Sequence, residues 1–172
     1  MISEDGAIEA RKAGFSIEPF VRTPAGVITW ADVTGTQSLA DGYLPIPTVH
    51  WKHPEVELRT TAATGGARGA SLTRVTYALK NTTRSTRRLT LALAIRPFQV
   101  NPATQFLNTT GGVSPIQDLA WKNGVVEVDR VPAVFPRTQP QSFRAVALDA
   151  GTRASVTLIS CWMRASGSRS RW

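Results

Sequence analysis

The stretch Arg74-Val75-Thr76-Tyr77-Ala78-Leu79-Lys80 is followed, after the polar link Asn81-Thr82-Thr83-Arg84-Ser85-Thr86, by Leu89-Thr90-Leu91-Ala92-Leu93-Ala94-Ile95. Every second side chain is large and apolar: Val75, Tyr77 and Leu79 in the first run, Leu89, Leu91, Leu93 and Ile95 in the second. A strand sends alternate side chains to opposite faces, whereas an amphipathic helix needs apolar residues three and four apart. Both runs therefore predict strands with one buried face. The link is rich in turn-forming residues, so the reading is a hairpin from Leu72 to Phe98 near the centre of a sheet, with Leu89, Leu91, Leu93 and Ile95 facing one core.

The same logic extends outward. Val27 to Val33, after Gly26, is rich in β-branched and aromatic residues, and Val56 to Thr61 alternates over a shorter run. Val125 to Val131 reads as a strand opened by the turn Lys122-Asn123-Gly124. Phe143, Ala145 and Ala147 share one parity; beyond the turn Asp149-Ala150-Gly151-Thr152, so do Ala154, Val156, Leu158 and Trp162, which predicts a second hairpin. Only residues 4–13 have a helix-friendly composition, and Gly6 and Gly14 bound them. Eleven Pro and thirteen Gly cut the chain into short pieces, as a many-stranded sandwich requires. The expected fold is all-β, an antiparallel β-sandwich of the supersandwich-like kind. One domain is expected over residues 1–164, with 165–172 a disordered, dispensable basic tail.

At 172 residues and 42% hydrophobic composition the chain can bury a core without staples. The lone Cys161 excludes an internal disulfide framework and any multi-cysteine zinc cluster. Met1-Ile2-Ser3-Glu4-Asp5 has neither the basic nor the apolar region of a signal peptide, and the longest apolar run, Leu89 to Ile95, is too short to cross a bilayer. A soluble chain without a membrane partner is expected, and its compartment is left open. The net charge of +8 comes from sixteen Arg and four Lys scattered along the chain, the tightest group being Arg84, Arg87 and Arg88. Scattered Arg on strands marks a solvated face more often than a phosphate track, so nucleic acid is not the expected partner.

Catalytic signatures are missing. His50 and His53 lie on opposite faces if the segment is extended, and the zinc-protease spacing of four with an intervening Glu is absent. A loop at Pro54 still allows them to meet Glu55 or Asp41, but the reading is no metal and no cofactor. There is no Gly-x-Ser-x-Gly, and Cys161 sits in a strand without a cationic neighbour. Thr64-Gly65-Gly66-Ala67-Arg68-Gly69-Ala70-Ser71 lacks the Lys-Ser/Thr of a phosphate loop and reads as a hairpin loop. Glycoside hydrolysis needs two carboxylates at a set separation, and no pair among Asp32, Asp41, Glu55, Glu57 and Asp118 is selected by spacing.

One segment breaks the strand pattern. Pro97 to Trp121 is a long connection carrying Gln99, Asn101, Gln105 and Asn108 beside Phe98, Phe106 and Trp121. Long loops of this kind are either functional or crossovers between sheets, and both readings stand. Sugar recognition asks for exposed aromatic faces and nearby amides. The candidate ligand-binding residues are accordingly Gln99, Asn101, Gln105, Phe106, Asn108 and Trp121, with Tyr43 and Trp51 from other expected loops.

Thr29-Trp30-Ala31-Asp32-Val33 through Gln37 to Pro47, and Tyr77 to Thr82 through Leu91 to Pro102 with its Arg96-Pro97-Phe98-Gln99-Val100-Asn101-Pro102 element, carry a resemblance. They resemble the β-sandwich region of large bacterial proteins of the coagulation factor 5/8 (discoidin-like) type. More distantly they are similar to the sandwich preceding the helical toroid of glucoamylase-like and maltose-phosphorylase-like glycosidases. The resemblance covers about half the chain. It implies a non-catalytic accessory module in carbohydrate processing, with the Gln99–Asn108 loop near an adjoining helical glycosidase-like partner domain, and with weak glycan contact. In those enzymes the catalytic carboxylates belong to the helical barrel, so no catalytic residue transfers. The alternatives are a basic polyanion- or nucleic-acid-binding domain and a free-standing carboxylate-dependent glycoside hydrolase.

Overall fold

The computed structural model describes residues 1–67, 69–100 and 112–147, together with the backbone of the strands Arg153–Met163 and Arg169–Arg171. β1 (Ile8–Glu9), β2 (Ser16–Thr23) and β3 (Gly26–Ile28) lead into a 3-10 turn at Trp30–Asp32. Then come β4 (Thr34–Ala40), β5 (Leu44–Lys52), β6 (Val56–Gly65), β7 (Leu72–Asn81) and β8 (Arg87–Arg96). Beyond the long connection lie β9 (Leu119–Lys122), β10 (Val125–Val128), β11 (Val131–Val134), β12 (Ser142–Ala147), β13 (Arg153–Met163) and β14 (Arg169–Arg171). No α-helix occurs among the described residues, and the fold is all-β, antiparallel and sandwich-like. The helix-friendly 4–13 stretch forms turns and the short β1 instead, with Gly6 and Ala13 both at positive φ.

The described strands form three sheets. One has the order β1-β2-β8-β13-β12 with β3 beside β2; another is β11-β10-β9; the third is β14-β7-β6-β5-β4. This corrects the expected Leu72–Phe98 hairpin: β7 and β8 do not pair, because β7 has β6 and β14 as neighbours while β8 lies between β2 and β13. The link between them is organised by the buried Asn81. Its Nδ2 donates to the Ser85 carbonyl at 2.8 Å, and its Oδ1 accepts from the Thr83 amide at 3.0 Å and hydroxyl at 2.8 Å. Thr82 is anchored elsewhere, its amide donating to the Glu55 carbonyl and its hydroxyl to that of Pro54. The polar link bends the chain but closes no hairpin, and alternation fixes which face is buried and not which strand is the neighbour.

Contacts divide the chain into two compact units. The first comprises Met1, Ala7–Phe20 and Leu91–Ser160. Its core is Ile95, Ile116, Leu119, Val126 and Val128, with Phe15, Ile17, Trp121 and Phe143 packed around it. β9 and β10 close through Asn123 and Gly124, both at positive φ, the geometry a two-residue turn needs to match strand twist. The next turn repeats it with Asp129 and Arg130, and the Asp129 carboxylate accepts the amides of Gln117 and Asp118 at 2.8 and 2.9 Å. β12 and β13 form the hairpin predicted from parity, with Phe143 opposite Thr157 and Ala147 opposite Arg153.

The second unit comprises Ile2–Gly6, Val21–Thr90 and Cys161–Trp172. In its five-stranded sheet Trp51, Leu58 and Leu79 are direct cross-strand neighbours, all buried. Burying each such side chain is worth about 1.5–3 kcal/mol. The Gly-rich stretch after Thr64 connects β6 to β7, whose register runs from Val56–Asn81 to Gly65–Leu72, so the predicted hairpin loop is present. Arg169–Arg171, from the segment expected to be a disordered tail, pairs with Ala78–Lys80 as the edge strand β14.

The alternation in β8 shifts partway along. Leu89 and Leu91 are fully buried, Leu93 is half-buried, and Ala94 and Ile95 are both buried. Three of the four expected core residues hold their place; Leu93 does so only in part.

Candidate functional site

The foot of the long connection is built from both of its ends, within the first unit. Phe98 and Val113 face each other in an isolated antiparallel bridge. The Gln99 amide donates to the Gly112 carbonyl at 2.9 Å, and the Ser114 amide to that of Pro97 at 2.8 Å. Gln99 Nε2 adds a bond to the Val113 carbonyl at 3.2 Å. Its Oε1 is buried and finds no hydrogen-bond partner among the described residues. A buried acceptor without a donor costs its desolvation, so this amide is held for its donor side alone.

Side chains from β1, β2 and β8 fix the foot from below. Arg96, the last residue of β8, donates to Glu18 Oε2 at 2.6 Å and lies over the Phe98 ring, its guanidinium carbon 4.8 Å from the ring centre. Glu9, only 3% exposed, accepts the Gly14 amide at 3.3 Å and the Val100 amide at 2.7 Å. The Arg96-Pro97-Phe98-Gln99 element therefore forms a braced corner in which a cation stacks on an aromatic ring. Phe98 remains 38% exposed and Val113 52% exposed.

The sequence-derived candidates fare differently. Gln99 is half-buried in this corner. Asn101, Gln105, Phe106 and Asn108 lie outside the described residues. Trp121 was expected in a loop but belongs to β9, half-buried, its ring 6.2 Å from that of Phe143. Trp51 was also expected in a loop, and this too is corrected. It sits within β5 at 3% exposure, its indole N–H donating to the Asp5 carbonyl at 3.1 Å, so its ring face is closed to a ligand. Tyr43 follows the tight turn Asp41-Gly42 and is 75% exposed. Gln99 and Trp121 belong to the first unit, Tyr43 and Trp51 to the second.

The histidines are separated by their roles. His50 Nε2 lies 3.8 Å from Glu57 and makes no hydrogen bond among the described residues. Burial first, and then the neighbouring Arg59, hold its pKa below the ordinary value, which the attraction of Glu57 does not reverse. His53 accepts the Glu55 amide at Nδ1 in the turn between β5 and β6. No group of three or more His, Cys, Asp or Glu suited to a metal occurs among the described residues, nor any helix long and apolar enough to cross a membrane.

The sequence reading missed the corner's acidic braces. Glu9 and Glu18 sit in a segment without strong alternation, and only the fold brings them to Val100 and Arg96. Comparison with known proteins finds no matching family model, no matching curated protein and no matching solved structure.

Proposed function

We propose that this chain is a non-catalytic β-sandwich accessory module of a larger bacterial carbohydrate-processing protein. It docks onto an adjoining helical glycosidase-like domain through the foot of the 97–121 connection and contributes a weak glycan contact there. The observation that supports this is the Phe98–Val113 pair, two apolar side chains left open on a corner that Arg96, Glu18 and Glu9 hold in place. An aromatic anchor kept in one conformation gives contact area at little ordering cost, which is how interface centres are built. The resemblance of the Arg96-to-Pro102 element to sandwiches that pack on a helical barrel points to the same segment.

The test is calorimetric titration of the chain with the helical domain encoded beside it and, separately, with maltoheptaose. Binding to at least one, weakened tenfold or more by Phe98→Ser with the thermal transition unchanged, supports the reading. Binding to neither, or binding indifferent to Phe98→Ser, removes it.

A further inference from the structure

Charge is unequally divided between the two units. The second holds twelve Lys and Arg against six Asp and Glu, the first eight against six, so +6 of the net +8 belongs to the second. What looked scattered along the sequence is gathered by strand register. On the sheet face opposite Trp51, Leu58 and Leu79, Lys52, Glu57 and Lys80 form one row across β5, β6 and β7. His50 and Arg59 occupy the next row, with Thr36 of β4 beside them. Ser38, Thr48, Thr61 and Thr76 make the third, and Arg74 stands beyond it opposite Ala63. β14 brings Arg169 and Arg171 into register with Lys80 and Ala78.

This face is accessible and its positive charge is mostly uncompensated. Lys52, Arg59, Arg74, Thr36 and Ser38 are exposed. Glu57 is the only acid in these rows and is taken by Lys80 at 3.4 Å. Neither Lys52 nor Arg59 has an ion-pair partner among the described residues. Strand spacing puts Lys52 and Lys80 about 10 Å apart at the backbone, with Arg59 about 7 Å along from their row. Thr48 and Thr61 share a hydroxyl–hydroxyl bond of 2.8 Å in the middle of the face.

We infer that this face binds a linear acidic polysaccharide. The carboxylates or sulfates meet Lys52, Arg59 and Arg74, and the sugar hydroxyls meet Thr36, Ser38 and Thr76. A flat hydroxyl-bearing sheet with cations in rows suits a repeating anionic chain, because charge-assisted bonds recur at strand spacing. Single-stranded nucleic acid fits less well. Its sequence-independent binders stack bases on aromatic rings, and the aromatic residues of this sheet's described strands, Trp51 and Tyr77, are buried on the other side. Duplex readers insert a helix or ribbon into a groove, which a flat face cannot do. The inference concerns a different sheet from the Phe98 foot and does not depend on it.

The test uses the full chain and measures affinity for polygalacturonate, for its fully methyl-esterified neutral form, and for a thymidine oligonucleotide, at low and moderate salt. Lys52→Glu with Arg59→Glu is compared with Arg137→Glu with Arg144→Glu, an exposed pair in the first unit that changes net charge equally. Lys52→Ala with Arg59→Ala guards against a folding effect of the reversal. The expected result is binding to polygalacturonate and not to the neutral ester, weakened tenfold or more by the face variants and less than twofold by the control pair. No binding by the unaltered chain, equal loss with both reversal pairs, or tighter binding of the oligonucleotide through Lys52 and Arg59 would each overturn the inference. Loss on Phe98→Ser alone would overturn it too, by placing the glycan at the foot.

Discussion

The carboxylate of Glu9 accepts the backbone amide of Val100 at 2.7 Å across ninety-one residues of chain, and its other oxygen accepts Gly14 at 3.3 Å. One buried acid thus holds the start of the long connection to the N-terminal strand segment. Glu9→Ala leaves both amides without this acceptor and is expected to cost about 2–3 kcal/mol, read from the urea midpoint. Glu9→Gln, which keeps an acceptor, is expected to lose less. A change under about 0.5 kcal/mol for Glu9→Ala, the size of an ordinary surface substitution, would show that the foot is held by other contacts.

The parity shift in β8 separates two chemically identical substitutions. Leu91 is wholly buried and Leu93 only half so. Leu91→Ala is expected to cost about 2–5 kcal/mol, the range for emptying a packed site. Leu93→Ala is expected to cost clearly less, and equal losses in denaturation would contradict the burial difference.

Tyr77 carries a buried hydroxyl that finds no partner among the described residues, and burial drives its pKa far above the ordinary phenol value. Removing an unsatisfied buried polar atom while keeping the ring relieves a desolvation cost. Tyr77→Phe should therefore leave stability unchanged or raise it by about 1 kcal/mol. A loss of that size would mean that the hydroxyl is bonded in solution.

His50 gives the second unit a pH dependence of definite sign. Burial and Arg59 depress its folded pKa below the ordinary 6.5, so the unfolded chain takes up a proton first as pH falls. The associated stability is present above 6.5 and is lost as pH drops from there toward the lower folded value. Melting temperature should decline between about pH 7 and pH 5, and His50→Gln should flatten that decline. An unchanged slope in His50→Gln would assign the effect to other groups.

Much of the fold was legible because period-two alternation and turn residues are local properties. β6, β7, β8, β10 and the β12–β13 pair follow from them, as does the turn at Asn123-Gly124. β4 was not legible: Thr34-Gly35-Thr36-Gln37-Ser38-Leu39-Ala40 has no apolar alternation, because as an edge strand its residues are nearly all exposed on both faces. β5 was hidden by Pro45 and Pro47, which read as loop punctuation, and Trp51 was misplaced with it. The absence of β7–β8 pairing was not legible either, since partner choice is settled by long-range competition for strand edges. Of the candidate site, Phe98 and Gln99 could be found from the Arg-Pro-Phe element, whereas Glu9 and Glu18 act across the fold and leave no local signal. The basic face needed register, because its members sit on five strands, β4 to β7 and β14, that only pairing brings side by side.

Recognition through the braced foot can be read in a 15N–1H correlation map of the full chain titrated with the helical domain and with maltoheptaose. Progressive shifts are expected at Phe98, Gln99, Val113 and Ser114 with at least one of the two, and are lost in Phe98→Ser. Shifts confined to other strands, or an unchanged map with both, would contradict it.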